Sequence, residues 1–165
     1  MRRTLQICIS ALVMAIVVSG AFPQDSIAQL RSRFAQESDP VRKAKQLPSL
    51  GSAEFGRIQK EAGEGHLADA LAVLQSYRDE ARSCVKGLDA TGVDAEKHSA
   101  GFKQLQISLR ESLRRLDALL PGMTSDEQGP FLVVRRDLDE MNRHVIEELF
   151  PRRAPAGPQP ARPPE

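Results

Sequence analysis

Apolar residues recur every three or four positions through most of the chain, which is the spacing of one buried face of an α-helix. The clearest stripes span residues 67–88, 102–120 and 131–149. No comparable stretch alternates apolar and polar residues with the period of two that a half-buried strand requires. The pattern therefore predicts an all-α protein built as a small helical bundle.

The last two stripes match each other in one antiparallel register. Apolar pairs stack from Leu120–Phe131, through Leu113–Leu138, to Phe102–Leu149. This is typical of an αα-hairpin, with helices at about 98–120 and 125–150. The same register places Asp117 near Arg135 and Arg110 near Asp139 as rim ion pairs. Because such a hairpin leaves part of each stripe exposed, we expect a helix at about 66–88 to cover it, giving a three-helix core.

Capping and breaking residues predict where the other helices begin and end. Asp39 followed by Pro40 is a helix start, and Asp94 is a candidate cap for the first helix of the hairpin. Pro48 and Gly51 are expected to end one short N-terminal helix, with another starting at Ser52. Residues 125–128, Ser-Asp-Glu-Gln, have the pattern of a capping box between Ser125 and Gln128.

The two ends of the chain differ from its middle. Arg2 and Arg3 precede an uncharged apolar segment that ends in small residues at 19–21, so residues 1–21 are predicted to be a signal peptide. Residues 22–38 are then a linker or short helix, and 39–150 the bundle domain. Residues 151–165 contain six prolines and are predicted to form a disordered tail. Alternatively, residues 4–22 stay uncleaved and anchor the protein in the inner membrane.

Charge and composition exclude some classes of function. The chain carries a net charge of +1, and aromatic residues make up 4% of it, so neither a basic surface nor a base-stacking platform for nucleic acid is indicated. Cleavage after residue 21 would remove Cys8 and leave Cys84 alone, without an internal disulfide. Cys84 lies at the margin of an apolar stripe, where we expect a half-buried apolar residue.

Candidate chemical residues do not converge into a recognisable site. The histidines are His66, His98 and His144, and Glu140 shares a helix face with His144 on the side opposite the apolar stripe. That pair lacks the further carboxylates and histidine of a bundle di-iron site. No local motif for a nucleophile, a zinc protease or a phosphate loop is present. We therefore assign no catalytic, cofactor-binding or metal-ligating residue, and no cofactor.

Two resemblances concern the fold. Residues 65–74, Gly-His-Leu-Ala-Asp-Ala-Leu-Ala-Val-Leu, are similar to part of a tetratricopeptide repeat, so residues 52–82 look like a single helical hairpin of that kind. Such arrays need about three repeats, and no second copy follows. Residues 38–151, notably DAEKHSAGFKQLQISLRESLRRLD and DEQGPFLVVRRDLDEMNRHVIEELFP, resemble a group of small exported bacterial helical proteins of unknown function. That resemblance implies the fold and export only.

These observations favour an exported, non-enzymatic helical protein of the periplasm or the extracellular space. We expect it to be a protein–protein interaction module, an envelope adaptor or a holdase-like protein, with an unidentified protein as partner. One alternative is a small ligand-binding or enzymatic bundle with His98 or His144 in a cleft. Another is a membrane-tethered structural protein, if residues 4–22 are retained.

Overall fold

The computed structural model of the protein describes residues 24–151, with side chains from residue 27 onward. Five α-helices and one 3-10 turn (Leu120–Gly122) make up this part of the chain. The helices are α1 (Gln24–Gln36), α2 (Pro40–Gly63), α3 (Leu67–Asp89), α4 (Ala100–Leu119) and α5 (Ser125–Leu149). No strand occurs between residues 24 and 151, so the all-α class is confirmed. The predicted signal peptide and the tail after Pro151 lie outside the described residues.

The long helices form a four-helix bundle, so the expected three-helix core was wrong. Helix α2 packs against α3 and α4, and α5 packs against the same two helices. Helices α3 and α4 lie across a diagonal, and α1 packs along α2. The helix that the prediction left out of the core is α2, which is one helix about as long as the other three and not a pair of shorter helices.

Contacts at the helix ends fix the direction of each helix. A side chain at Gly101, near the start of α4, would meet Leu88 at the end of α3 and Val41 at the start of α2. Helices α2 and α4 therefore begin at the same end of the bundle and run parallel. His144 in α5 contacts Asp89 at the end of α3, with 3.0 Å between Nε2 and a carboxylate oxygen, so α3 and α5 are also parallel. Consecutive helices are antiparallel throughout.

Helix α2 continues through the positions that were predicted to break it. Pro48 and Gly51 both lie inside the helix, and Ser52 is an ordinary helical residue. A proline in a helix interior removes one backbone hydrogen bond and is unfavourable by itself. Here the loss is offset by packing, because Leu47, Leu50 and other apolar residues on both sides of Pro48 are fully buried. Tertiary contacts thus override the local signal.

The predicted α4–α5 hairpin is present, and its polar flank confirms half of the expected ion pairs. Arg135 Nε donates to Asp117 Oδ1 at 2.6 Å across the two helices. The predicted contact between Arg110 and Asp139 was wrong, because Asp139 pairs instead with Arg143 one turn further along α5. An exposed acid and base four residues apart on one helix satisfy each other locally.

One layer of the hairpin differs from the predicted stripe. Leu138 is fully buried in α5 as expected, whereas Leu113 is only partly buried at the edge of the core. The neighbouring Ser112 is buried in its stead. Because α4 packs against both α2 and α5, its buried face points between these two helices and not directly at α5. Leu113 therefore lies at the margin of the core.

Of the three predicted helix caps, the structure confirms Asp39, shifts the cap of α5 by one residue and does not confirm Asp94. Asp39 caps α2 by accepting a hydrogen bond from the Arg42 amide at 2.7 Å, as predicted. At α5 the capping box is one residue earlier than expected, because the Thr124 amide donates to Glu127 Oε2 at 2.8 Å. The prediction that Asp94 caps α4 was wrong: Asp94 accepts from the Glu96 amide in the preceding loop, and α4 begins only at Ala100, with Ser99 as its N-cap residue.

None of the helices between residues 24 and 151 is long and apolar enough to cross a membrane.

Candidate functional site

A narrow cleft runs between the parallel helices α2 and α4. Its volume is about 150 Å³. The walls are mainly apolar, with Leu47 and Phe55 contributed by α2 and Ile107 by α4. The residues along the seam between the two helices include the small side chains of Ser52, Ser108 and Ser112 and the glycine Gly51, which leave this space open.

The floor of the cleft is formed by Tyr77 of α3. Its ring fits beneath Gly51, where an added Cβ would lie 2.8 Å from Tyr77 Cε2. The Tyr77 hydroxyl is hydrogen-bonded to the Ser112 hydroxyl at 2.6 Å, and burial raises the pKa of the phenol well above its usual range. Tyr77 also makes an edge-to-face contact with Phe55, with ring centroids 5.3 Å apart. The floor is therefore rigid and neutral.

The mouth of the cleft combines an apolar side chain with an ion pair. Ile107 is 48% exposed beside the opening. Arg115 Nε donates to Glu111 Oε1 at 2.8 Å, and its guanidinium lies 6.0 Å from the centroid of the Phe55 ring. An apolar cleft with a polar rim is the usual anatomy of a surface that accepts a side chain from another protein.

A second unusual feature is a charged cluster buried beneath α1. Glu54 of α2 has no exposed surface, and its Oε1 accepts from Arg31 Nε of α1 at 2.7 Å. Glu80 of α3 lies beside them, with 3.5 Å between its Oε1 and Arg31 Nε. Burial of charge is unfavourable, and it raises the pKa of Glu54 despite the neighbouring guanidinium. Burial and the charge of Glu54 raise the pKa of Glu80 to about 8.

The structure does not bring the three histidines together. His98 is exposed in the loop before α4, and His144 pairs with Asp89 on the surface. His66 Nδ1 lies 3.3 Å from Glu61 Oε2 at the α2–α3 turn, and Glu64 is close enough that the three side chains form a possible ligand group. Glu61 is half-buried, Glu64 and His66 are exposed, and their side chains pair with one another, so we assign no metal to them.

Cys84 is more deeply buried than the expected boundary position. It has no exposed surface and forms no disulfide. Burial raises the pKa of its thiol to about 12, so the reactive thiolate is scarce at neutral pH. A structural role follows from these surroundings.

Sequence reasoning missed the cluster of Arg31, Glu54 and Glu80, although a signal for it exists. Glu54 interrupts the apolar stripe of α2 between Leu50 and Ile58, at the spacing of a buried position. Glu80 follows Tyr77 by three residues on the buried side of α3. An acidic residue within an apolar stripe needs a partner, and the partner here comes from α1, which the stripes did not predict to pack there.

Comparison with protein-family models, curated proteins and solved structures found no match to this chain.

Proposed function

We propose that this is an exported, non-enzymatic helical protein that acts as a protein–protein interaction module, either as an envelope adaptor or as a holdase-like protein. The single observation that supports the interaction part of this proposal is the cleft between α2 and α4 over Tyr77. The partner is a protein that inserts one apolar side chain into the cleft and contacts Ile107 at its mouth.

The size of the cleft favours a side chain over a free ligand. Pockets for drug-sized molecules and cofactors have volumes of about 300–1,000 Å³. A volume of about 150 Å³ is close to that of engineered cavities that hold a benzene ring. It thus fits one aromatic or large aliphatic side chain, whose backbone would lie across the rim near Glu111 and Arg115.

The ligand-binding or enzymatic alternative receives less support from the same geometry. It requires His98 or His144 in a cleft, and both histidines lie outside the one described here. The membrane-tethered alternative depends on residues 4–22, which lie outside the described part of the chain.

Site-specific photo-crosslinking tests the interaction surface. A photoreactive amino acid replaces Ile107 at the mouth of the cleft or, as a matched control, Arg136, which is exposed on α5. We expect a discrete crosslinked protein from position 107 and not from position 136 in intact cells. The same crosslink should weaken when Glu111, also at the rim, is changed to Lys. Equal crosslinking at both positions would contradict a partner at the cleft.

N-terminal sequencing of the protein from the periplasmic or secreted fraction tests export. We expect a mature form that starts at Phe22 or within a few residues of it. A full-length protein that fractionates with membranes would favour the tethered alternative instead.

A further inference from the structure

We propose that Glu54 and Glu80 hold one proton between them, and that this proton controls how firmly helix α1 is seated on the bundle. The three groups involved come from three helices: Arg31 from α1, Glu54 from α2 and Glu80 from α3. They meet at the place where α1 covers the bundle. The inference is independent of the partner proposed for the α2–α4 cleft.

The geometry provides one cation for two carboxyl groups. Arg31 Nε lies 2.7 Å from Glu54 Oε1 and 3.5 Å from Glu80 Oε1. The second oxygen, Oε2, of each carboxyl group is buried and receives no hydrogen bond from a conventional donor of the protein. Each carboxyl group therefore has a buried oxygen that lacks a donor, and the negative charge of Glu54 acts directly on Glu80. One guanidinium neutralises only one of two buried carboxylates, and a proton on the other removes the second charge and supplies a hydrogen-bond donor.

The neighbouring groups decide which carboxyl group keeps the proton. Glu54 accepts the short bond from Arg31 and is the better anion, so the proton resides mainly on Glu80. Asp79 adds a further negative charge near Glu80 and favours the protonated form. Tyr77 and Cys84 also face the cluster from α3, and burial keeps both neutral at pH 7 by raising their pKa values. The positive charge of Lys43 on α2 lowers the pKa of the Cys84 thiol, but burial raises it by more.

Helix α1 is the element whose movement would end the burial of the two carboxyl groups. It has 13 residues and joins α2 through residues 37–39. Apart from Arg31, it is held by Phe34, which is buried beneath Lys43, and by Leu30 at the core margin. Isolated helices of this length are marginal in water, so α1 depends on these contacts. Unseating it would expose both carboxyl groups to water and return them to ordinary acidity.

Seating of α1 therefore takes up one proton, which sets the direction of the pH effect. Below about pH 4.5 the proton is bound in both states, and the contribution to seating is fully present. As pH rises toward about 8, only the seated state keeps the proton, so the equilibrium for seating falls by at most about tenfold per pH unit. Above about pH 8 the contribution is lost and the dependence levels off.

Two measurements on the wild-type protein test this coupling. Carbon NMR of labelled glutamate side chains follows the titration of Glu80, for which we expect a midpoint near 8. Hydrogen-exchange protection factors for α1 amides report small populations of the unseated helix. We expect α1 protection to fall between pH 5 and 8, and protection in α2–α5 to change less. Glu80→Gln should make α1 protection nearly independent of pH, whereas Glu140→Gln, at an exposed acid on α5, should behave as wild type.

Two results would overturn the proposal. A Glu80 titration near its ordinary value of 4.5 would exclude the shared proton. A midpoint near 8 with constant α1 protection would mean that Glu80, which is 18% exposed, turns toward solvent while α1 stays in place. Both results come from the wild-type protein, so they decide the matter even if Glu80→Gln fails to fold.

Discussion

Gly51 and Gly56 lie on the same helix in opposite surroundings, which makes them a matched pair. A Cβ at Gly51 would overlap the Tyr77 ring, whereas nothing lies within 4 Å of a Cβ at the exposed Gly56. We expect Gly51→Ala to lower the free energy of unfolding by about 1–3 kcal/mol through overpacking. Gly56→Ala should raise it by about 0.5–1 kcal/mol through higher helix propensity. Urea unfolding measures both, and equal effects would contradict the contact between Gly51 and Tyr77.

Leu138 is the best single test of the core, because it is fully buried at the centre of α5. Leu138→Ala should lower the free energy of unfolding by about 2–5 kcal/mol, through lost burial and a residual cavity. Leu132, on the same helix, is 44% exposed, so Leu132→Ala should cost less than about 1 kcal/mol. The half-buried Leu113 should fall between them. Similar losses at positions 132 and 138 in urea unfolding would be inconsistent with the helix orientation described.

Cys84 should be protected from thiol reagents by its surroundings. Because burial removes access and raises the pKa of the thiol to about 12, we expect the native protein to react far more slowly than the unfolded protein. Mass spectrometry after timed exposure to an alkylating reagent measures the rate. Rapid labelling under native conditions would indicate an accessible, functional thiol instead.

At the scale of helices, two neighbouring residues at the start of α5 are candidates for its N-cap. Thr124 is the N-cap residue and shares hydrogen bonds with Glu127, whereas Ser125 is the first helical residue. Thr124→Ala should lower the free energy of unfolding by about 0.5–2 kcal/mol. Ser125→Ala should change it by less than about 0.5 kcal/mol. Thermal unfolding compares the two variants, and a larger loss at Ser125 would restore the capping box predicted from the sequence.

The sequence predicts a pair of helices well where the two are consecutive and joined by a short turn. The α4–α5 hairpin follows from apolar spacing because its register depends mainly on two helices, and the Asp117–Arg135 pair confirms it. Prediction failed for α2, where Pro48 and Gly51 are strong local breakers. Its continuity depends on burial between α3 and α4, and contacts between distant segments leave no local signal in the chain.

The candidate site was less predictable for the same physical reason. The cleft joins Gly51 of α2, Tyr77 of α3 and Ser112 of α4, and none of the three indicates a cleft within its own helix. Whether these three residues lie close together depends on how the three helices are rotated about their axes. Glu54 was the exception, since an acid within an apolar stripe is visible in the sequence, although its partner Arg31 is not.

At the scale of the whole molecule, the buried acid pair should make global stability depend on pH. The folded state raises the pKa of Glu80 to about 8, so stability is greatest below about pH 4.5 for this contribution and falls as pH rises toward 8. Glu80→Gln should raise the free energy of unfolding by about 1–3 kcal/mol at pH 8 and by much less near pH 5. Urea midpoints across this range measure the difference. The same gain at both pH values would point to packing rather than to proton uptake.

The diagonal connection between α3 and α4 has a consequence for how the chain folds. Helices α2 and α3 form one hairpin, α4 and α5 form another, and residues 90–99 join them across the end of the bundle. Contacts within each hairpin are close in sequence and can form quickly, while contacts between hairpins must wait for the longer loop to close. We therefore expect the seam between α2 and α4 to close late. A nascent chain would present the walls of the cleft separately, as two open apolar faces, before the finished protein presents them together.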